Sequence, residues 1–583
     1  MRNSGYLPLC LVAALTLGAP PASAQVPRVV ARQNGPVAGL GQIAWIEDIE
    51  ISNSGAWAIE ADTTFLGNNE DGIILKEDVV QLREGDVLPA PAGTKLRFFQ
   101  SFSLATDGRI ATAALMQGTS GFTDDGGVFL GDTILIQEGG IPIGPGWNAG
   151  TFYVWFSDVD LNANGQVLVR GFVEDPVAAN CLDYFASILG TDASGNLQSQ
   201  TLLAVEAGSL PGIVDPVSSI RFGPDAAAFN DAGQALITID LEMGPDFSSD
   251  GTVWLFDGTG TASGQLLARE GSPSPVPGRN WGDLFRPSVS LNNNGDWVIR
   301  DSLDDSDVFS DEIIVKNGAK FVQEGDFLPA IAPYSLRRFG LGAAHLSEAG
   351  DVLWYARWSD PNDAVNEGLF LNDRLLVQEG VTVASDGTLV ASIDDDEGTH
   401  YISPDGRYVV FLGYRPNGKQ VVFMIDLEDP MTQLCFGVGF GANCPCNNPG
   451  GPGKGCDSAN GLGGARLIAQ GEASLSNDTL AFFADGLPRL TSMVYLQGTA
   501  SSSPIPFGNG LRCVDGTLAR FGGRFAGADG RTAFGSGNPP VSVEGGVSAP
   551  GERIYQLLYR NRSGFCFGSG VNLSNAVRVV WGP

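Results

Sequence analysis

Residues 51–59 read Ile-Ser-Asn-Ser-Gly-Ala-Trp-Ala-Ile: an apolar residue, a polar turn closed by glycine, and the start of an alternating strand. This arrangement of an apolar residue, a small or polar one, two variable positions and a glycine occurs seven times. The seven turn glycines are Gly55, Gly108, Gly165, Gly233, Gly295, Gly350 and Gly406. Polar residues open a tight turn and glycine takes the positive φ that closes it, so each copy predicts a β-hairpin.

Each repeat is long enough for two further strands, because successive turn glycines are 53 to 68 residues apart. An apolar segment such as residues 127–130, Gly-Val-Phe-Leu, predicts a third strand, and a run ending in Glu-Gly, such as Val79–Gly85, predicts a fourth. Four short antiparallel strands per repeat, without helical periodicity between them, are typical of the blade of a β-propeller.

The two ends of the repeat region complement each other. The seventh repeat ends with Val421–Leu427 and has no fourth strand, whereas residues 28–37 resemble the fourth-strand segment at 266–273 and precede the first hairpin. Pairing the N-terminal strand onto the last blade would supply the missing strand and remove an exposed edge. We therefore predict an all-β fold with a seven-bladed β-propeller over residues 25–430, closed by the N-terminal strand.

The N-terminus has the features of an export signal. Arg2 precedes an apolar run centred on Leu9 to Leu17, and small residues lead up to Ala24. We predict a signal peptide over residues 1–24, and no later apolar stretch is long enough to span a bilayer. The expected location is extracellular or at the cell surface, with the periplasm left open.

Cysteines mark a second domain, predicted over residues 431–583. Six of the eight cysteines fall there: Cys435, Cys444, Cys446, Cys456, Cys513 and Cys566. In an exported protein such an even set predicts three disulfides, for which 15 pairings are open. A zinc site is disfavoured, because Cys-Pro-Cys is not a zinc knuckle. Segments of alternating apolar and polar residues between 464 and 581 predict that this domain is a β-sandwich. Cys181, which lies in the predicted propeller, is expected to be a buried free thiol.

Composition excludes several function classes. There are 66 acidic residues against 34 Lys and Arg, which gives a net charge of -32. This charge repels polyphosphates and anionic lipids, so we expect neither a nucleic acid nor a membrane surface as partner. The chain has only two histidines, which leaves little room for His-rich metal sites. We expect the protein to be a monomer.

A glutamate recurs at the end of the predicted fourth strand. The series is Glu84, Glu138, Glu206, Glu270, Glu324 and Glu379. These residues could form a carboxylate ring, but an arginine follows several of them at a similar distance. We favour a repeated structural ion pair or a hydrogen bond that holds a loop, because catalysis requires a unique residue rather than a repeated one.

Two acidic segments leave calcium open as a cofactor, although none is expected. Residues 158–165 place oxygen ligands at alternate positions, but Gly171 stands where a calcium loop would have glutamate. Residues 394–397 form an acidic cluster that is either a solvated loop or a cation site. The candidate ligands are Asp158, Asp160, Asn162, Asp394, Asp395 and Asp396.

Several stretches resemble known families. Residues 403–411, Ser-Pro-Asp-Gly-Arg-Tyr-Val-Val-Phe, resemble the repeat of periplasmic propellers associated with translocation systems, and residues 84–89 and 323–329 are similar to repeats of uncharacterised secreted bacterial proteins. Residues 444–448, Cys-Pro-Cys-Asn-Asn, and 507–513, Phe-Gly-Asn-Gly-Leu-Arg-Cys, resemble a C-terminal module of planctomycete-type extracellular proteins. These resemblances imply a fold and export, but no activity.

Two functions remain open. The favoured one is a non-catalytic, secreted or cell-surface protein that binds a glycan or a protein through its propeller, because the repeats are nearly uniform and no catalytic motif is present. The alternative is an extracellular carbohydrate-active enzyme, a polysaccharide lyase or glycoside hydrolase, in which carboxylates from several blades meet in the funnel. No catalytic residue is assigned from the sequence.

Overall fold

The computed structural model describes residues 24–65, 70–121, 123–177, 182–242, 249–284, 288–428, 431–437, 442–535, 539–561, 565 and 570–583. The predicted all-β fold is confirmed: apart from strands, these residues form two 3-10 turns, Thr261–Ser263 and Pro329–Ile331, and one short helix, Val541–Glu544. The chain divides into compact units of residues 24–432 and 433–583. No helix within the described ranges is long and apolar enough to cross a membrane. Residues 1–23 of the predicted signal peptide lie outside these ranges.

Antiparallel sheets follow one another along the first unit, and we number them in chain order. After a short strand, Ala24–Gln25, sheet 1 contains Pro36–Val37, Gly41–Ile51, Trp57–Thr63, Gly72–Lys76 and Val79–Arg83. Sheet 2 contains Lys95–Leu104, Ile110–Gln117, Gly126–Leu130 and Thr133–Gln137. Sheet 3 contains Phe152–Leu161, Val167–Glu174, Asp183–Thr191 and Leu197–Val205.

The series continues in the same way. Sheet 4 contains Val217–Ile220, Ala227–Phe229, Ala235–Leu241, Gly251–Phe256 and Gln265–Arg269. Sheet 5 contains Ser288–Leu291, Trp297–Ser302, Glu312–Lys316 and Ala319–Gln323. Sheet 6 contains Leu336–Arg338, His345–Leu346, Val352–Trp358, Glu367–Leu371 and Arg374–Gln378. Sheet 7 contains Ser392–Ile393, His400–Ile402, Tyr408–Tyr414, Gln420–Asp426 and, at its outer edge, Arg28–Arg32.

The repeated turns explain why every sheet begins in the same way. All seven turn glycines adopt positive φ, between 77° and 86°. In the first turn the N–H of Gly55 donates to the carbonyl of Ser52 at 3.0 Å, and the other six turns repeat this bond. A residue with a Cβ would be strained at this φ, so the glycine sets the direction in which the second strand leaves the turn.

The first and last sheets are joined directly. Strand Arg28–Arg32 pairs antiparallel with Gln420–Asp426, so the N-terminal segment completes sheet 7. Ile49 of sheet 1 donates its N–H to the carbonyl of Gly398, which precedes the inner hairpin of sheet 7, at 3.3 Å. Asn53 accepts the N–H of Asp405 at 2.8 Å. The order of the sheets therefore closes on itself.

Apolar side chains fill the gap between each sheet and the next. Separate buried clusters join sheets 1 and 2, 2 and 3, 3 and 4, 4 and 5, 5 and 6, and 6 and 7. A further cluster joins sheet 7 to sheet 1 and includes Ile59, Val422 and Met424. Burial of apolar area is the main stabilising contribution, and here each sheet depends on two neighbours.

Gln420 joins sheet 7 to sheet 1 through two buried hydrogen bonds. Its Oε1 accepts the N–H of Ile46 at 2.8 Å, and its Nε2 donates to the carbonyl of Ile46 at 2.9 Å.

Because Gln420→Leu would leave both backbone groups buried without partners, we expect a loss of about 3 kcal/mol in the free energy of unfolding. Urea unfolding of the full chain measures this loss. The exposed Gln81→Leu is the control, with an expected change within about 0.5 kcal/mol. Equal stabilities would contradict the direct joining of these sheets.

The second unit consists of two sheets and a hairpin. The larger sheet has the order Met431–Leu434, Val571–Trp581, Gly551–Arg560, Ser492–Gly498 and Ala519–Phe525. The smaller sheet contains Arg466–Gln470, Ala481–Asp485 and Thr532–Gly535, and the hairpin contains Ala500–Phe507 and Gly510–Asp515. The ring centroid of Phe482 in the smaller sheet lies 4.7 Å from that of Tyr555 and 5.5 Å from that of Tyr495 in the larger sheet. An aromatic core therefore forms between the two sheets.

Disulfide bonding in this unit is confirmed. Cys435 is bonded to Cys513, and Cys444 is bonded to Cys456. Cys446 is disulfide-bonded as well. Cys566 and Cys181 lie outside the described residues.

Candidate functional site

A cavity of about 410 Å³ lies where the inner ends of the seven sheets converge. The residue five positions before the turn glycine lines this cavity in every repeat. We call this set the axial ring, and it consists of Glu50, Ser103, Asp160, Ala228, Ser290, His345 and Tyr401. The repeated backbone thus presents a different side chain from each sheet to one shared space.

Three members of the axial ring have a structural role that can be seen in the hydrogen bonds. The carboxylate of Glu50 accepts the N–H of Leu104 in the next sheet. Ser103 accepts the N–H of Leu161 at 3.0 Å. Ser290 accepts the N–H of Leu346 at 2.9 Å. Polar side chains at this position therefore join neighbouring sheets, and a functional role has to be sought in the members that form no such bond.

Asp160 and Asp158 lie on one face of the first strand of sheet 3, beside a buried arginine. Nη2 of Arg170 is 3.9 Å from Oδ1 of Asp158 and 3.9 Å from Oδ2 of Asp160. The guanidinium also donates to the carbonyls of Arg221 at 2.7 Å and Gly223 at 3.0 Å. It is thereby fixed between the two acids and the neighbouring sheet.

The two acids differ in their surroundings. Asp158 is buried and accepts the N–H of Gly223 through Oδ1 at 3.2 Å. The Asp160 side chain is 23% exposed. Burial raises the pKa of Asp160 to about 7; the Arg170 charge opposes this rise and the Asp158 charge adds to it. Within the described ranges, Oδ2 of each acid is buried and has no hydrogen-bond partner.

The only two histidines of the chain meet beside the cavity. The rings of His345 and His400 are perpendicular, with centroids 5.6 Å apart, and the His345 ring lies 4.3 Å from that of Tyr401. Burial lowers the pKa of His345 to about 3, and burial together with His345 lowers the pKa of His400 to about 4. Both imidazoles are therefore neutral at pH 7 and act as hydrogen-bonding groups rather than as cations.

Asp225 links sheet 4 to sheets 6 and 7. Its Oδ2 accepts the N–H of Ala343 at 2.9 Å and that of Gly398 at 3.3 Å. Nε2 of His345 is 3.7 Å from its Oδ1, and His400 is held by the carbonyl of Ala343 at 2.9 Å from Nε2. Burial raises the pKa of Asp225, while His400 and the two N–H donors oppose the rise. The carbonyl of Ala343 thus holds His400 in position, whereas Nε2 of His345 has no hydrogen-bond partner among the described residues.

The cavity is strongly acidic. Among the residues that the structure describes, its lining contains one arginine, Arg170, and ten acids: Glu47, Asp48, Glu50, Glu60, Asp158, Asp160, Asp225, Asp231, Glu348 and Glu397. Burial raises the pKa values of Asp48 and Glu50 well above their usual range. Burial also raises the pKa of Glu60 to about 8, so this acid is mostly protonated at neutral pH, but the other charges still repel anions. A neutral, hydroxyl-rich ligand or a cation is the chemistry that fits.

The candidate calcium ligands of sheet 3 are divided between two environments. Asp158 and Asp160 line the cavity, where the Arg170 guanidinium lies between them. Oδ1 of Asn162 accepts the N–H groups of Asn164 at 3.1 Å and Gln166 at 2.9 Å within the turn. In the part of the chain that the structure describes, no group of three or more His, Cys, Asp or Glu side chains is arranged to hold a metal ion.

The side chains of the acidic cluster before the seventh hairpin contact different partners and do not converge on one point. Oδ2 of Asp394 accepts the hydroxyl of Tyr414 at 2.8 Å, and its Oδ1 accepts the N–H of Asp396 at 3.3 Å. Asp395 instead pairs with Arg338 at 3.2 Å. These contacts tie the two carboxylates to sheets 6 and 7.

The repeated glutamates hold the start of the third strand. Glu84 accepts the N–H of Gly72 at 3.1 Å, and Glu324 accepts that of Glu312 at 3.2 Å. Glu206 and Glu270 make the equivalent bonds. The hydrogen bond to the third strand is thus a feature that these four sheets repeat.

Asp160 makes the stability of the protein depend on pH in a defined direction. Because the folded state raises its pKa from 3.8 to about 7, the ionised carboxyl destabilises the fold progressively as the pH rises between these values. We expect Asp160→Asn to be more stable than wild type by ~2 kcal/mol at pH 8, and to differ little at pH 4. Urea unfolding at both pH values measures this difference. Asp132→Asn, on an exposed turn, controls for the lost charge, and a gain that does not change with pH would contradict the assignment.

Comparison with known proteins adds little. No family model matches the sequence, and no curated protein matches it. Similar solved structures include an alpha-L-arabinanase from Penicillium chrysogenum, with 10% identity, 70% of this chain and 99% of that chain covered, and a TM-score of 0.28. Another is the Trypanosoma rangeli sialidase, with 10% identity, 96% and 93% covered, and a TM-score of 0.29. Similarity at such low TM-scores supports no conclusion about function. A functional proposal has to rest on the cavity itself.

Proposed function

We propose that residues 25–430 form a seven-bladed β-propeller, in which the seven sheets are the blades, and that residues 431–583 form a β-sandwich module. The pairing of Arg28–Arg32 with the last sheet and the apolar clusters in every gap support the propeller. We also propose that the protein is exported, with residues 1–24 as its signal peptide. The disulfides support this, because such bonds persist in oxidising compartments.

We further propose that the axial cavity is the active site of an extracellular glycoside hydrolase that acts on a neutral glycan. One observation carries this proposal: Asp158 and Asp160 share Arg170 at 3.9 Å each, and each has an oxygen without a hydrogen-bond partner among the described residues. In a purely structural ion pair, buried carboxylate oxygens are normally hydrogen-bonded. Both residues line the cavity, and an acid pair with unused hydrogen-bonding capacity beside a cavity is suited to catalysis.

The geometry allows a two-carboxyl mechanism. Since both carboxylates are 3.9 Å from the same nitrogen, their facing oxygens are separated by no more than twice that distance. Paired carboxyls in glycoside hydrolases are about 5 to 9.5 Å apart. With a pKa of about 7, Asp160 retains a proton near neutral pH and would donate it to the glycosidic oxygen. Asp158, held by Gly223 and Arg170, would act as the base or nucleophile.

The surrounding charges select the substrate. An anionic sugar would meet ten acids and one arginine, whereas a neutral glycan would find acceptors and protonated carboxyls for its hydroxyl groups. Neutral His345 and the Tyr401 hydroxyl add hydrogen-bonding groups at the same level. No cofactor takes part in the proposed reaction.

The second candidate function is the non-catalytic glycan-binding or protein-binding role that the repeats predict.

One experiment distinguishes the two functions. If the protein is a hydrolase, residues 25–583 incubated with soluble β-1,4-glucan, β-1,4-mannan, β-1,4-xylan and α-1,5-arabinan should release new reducing ends from one of them. Thermal shifts measured in the same mixtures separate the two functions. Binding without cleavage would favour the non-catalytic protein, and neither binding nor cleavage would contradict the glycan proposal altogether.

A further inference from the structure

Three consecutive sheets carry an exposed aromatic side chain at the same repeat position. Trp45, Phe98 and Trp155 each lie ten residues before the turn glycine of sheets 1, 2 and 3, and we call them the aromatic strip. Their exposed fractions are 47%, 52% and 39%. Large aromatic residues normally bury most of their area, so three of them exposed in equivalent places need an explanation.

The backbone presents these rings in the same way each time. The pairing register shifts just before each aromatic residue and again two residues further on, as it does between Ile43 and Trp45 and between Ile46 and Asp48. Such bulges redirect side chains. The residue after each ring is buried and anchors the strand: Ile46, Phe99 and Phe156. The exposure is therefore built into the strand and does not arise from a loose loop.

The strip continues into the axial cavity. Phe98 lines the cavity, and so do Glu47 and Gln100, which lie two residues after Trp45 and Phe98. In sheets 4 and 6 the equivalent of the ring position is glycine, Gly223 and Gly340, and in sheet 7 it is Asp396. Before sheet 5 the equivalent residue is also aromatic, Phe285, and it lies outside the described residues.

We propose that the aromatic strip binds successive sugar rings of an extended neutral glycan and guides it into the axial cavity; this rests on the glycan-hydrolase function proposed above. A sugar ring has an apolar C–H face that packs on an aromatic ring, and hydroxyl groups at its edge that hydrogen-bond. In the strip, single aromatic rings alternate with the polar side chains Glu47 and Gln100, which matches the apolar face and polar edge of a sugar ring. A protein interface would instead need a continuous apolar core. One ring per sheet over three sheets implies a ligand of at least three sugars.

The test compares long and short ligands. In an Asp160→Asn background, which prevents turnover, the probes are the hexasaccharides and disaccharides of the four glycans named above, with binding measured by calorimetry and tryptophan fluorescence. We expect Trp45→Ala and Trp155→Ala each to weaken hexasaccharide binding roughly tenfold and to leave disaccharide binding unchanged. Phe98→Ala, at the cavity edge, should weaken both. Phe327→Ala, which removes a 73% exposed aromatic ring outside the strip, is the matched control and should change neither.

The outcomes separate the strip from the active site. Unchanged hexasaccharide affinity in all three strip variants, with turnover intact in the Asp160-containing protein, would overturn the strip and leave the hydrolase standing. Failure of every probe to bind the wild-type protein would overturn both. A dimer in light scattering that the alanine substitutions dissociate would show that the strip is an interface between copies of this chain instead.

Discussion

We expect Asp160→Asn to reduce cleavage of the responsive glycan at least ~1000-fold while binding is retained. The proposed proton donor is lost, whereas the amide keeps the size of the protonated carboxyl, so the cavity and Arg170 stay in place. General acid catalysis contributes about 10² to 10⁴ in rate. Asp158→Asn should cause a loss of similar size, because the two groups act on the same bond. Initial rates of reducing-end release measure both effects.

The pH profile distinguishes an acid catalyst from a residue that only shapes the cavity. With a pKa of about 7 in Asp160, wild-type activity should fall as the pH rises through 7, because the proton to be donated is lost. The residual activity of Asp160→Asn should lack this fall. Asp132→Asn, on its exposed turn, should retain wild-type rates. An active Asp160→Asn variant with the wild-type pH profile would contradict the assignment.

The largest expected effect on stability comes from the Cys435–Cys513 disulfide. It closes a loop with a sequence separation of 78, and the loss of that constraint on the unfolded chain costs roughly 4 kcal/mol. We expect the double substitution Cys435→Ala, Cys513→Ala to lower the unfolding free energy of the 433–583 unit by this amount. Guanidinium unfolding of the full chain, followed by near-UV circular dichroism, measures it.

The second disulfide provides a matched comparison. Cys444→Ala with Cys456→Ala opens a loop with a separation of only 12, so the expected loss is smaller, roughly 3 kcal/mol. Glycan cleavage should persist in both double variants under native conditions, since the proposed active site lies within residues 24–432. A larger loss for the shorter loop would contradict the chain-constraint explanation.

Local chemistry made much of the fold predictable. The turn glycines and the alternating strands beside them predicted seven hairpins, and each glycine has the positive φ that the turn requires. The unmatched strand at residues 28–32 predicted its pairing with the last repeat, because strand edges favour pairing. Disulfide pairing could not be predicted, since six cysteines allow 15 arrangements and only the folded chain selects among them.

The candidate site was less accessible to sequence analysis. The alternate spacing of Asp158 and Asp160 marks them as candidate calcium ligands, although the missing glutamate disfavours such a site. Spacing along one strand does not reveal that Arg170 is paired opposite Asp158 on the next strand. A chain with only two histidines gives no sign that His345 of sheet 6 and His400 of sheet 7 pack together, with ring centroids 5.6 Å apart. A usable signal existed: the position five before the turn glycine varies from Glu to Ser, Asp, Ala, His and Tyr, while the next position is always apolar.

The central claim is that the axial cavity binds and cleaves a neutral glycan between Asp158 and Asp160. The most direct measurement is a crystal structure of Asp160→Asn soaked with the hexasaccharide of the glycan that the wild-type protein cleaves. We predict a glycosidic oxygen within hydrogen-bond distance of residue 160, a sugar carbon facing Asp158, and sugar rings over Phe98. A hexasaccharide bound only outside the cavity, or only on residues 433–583, would contradict the account.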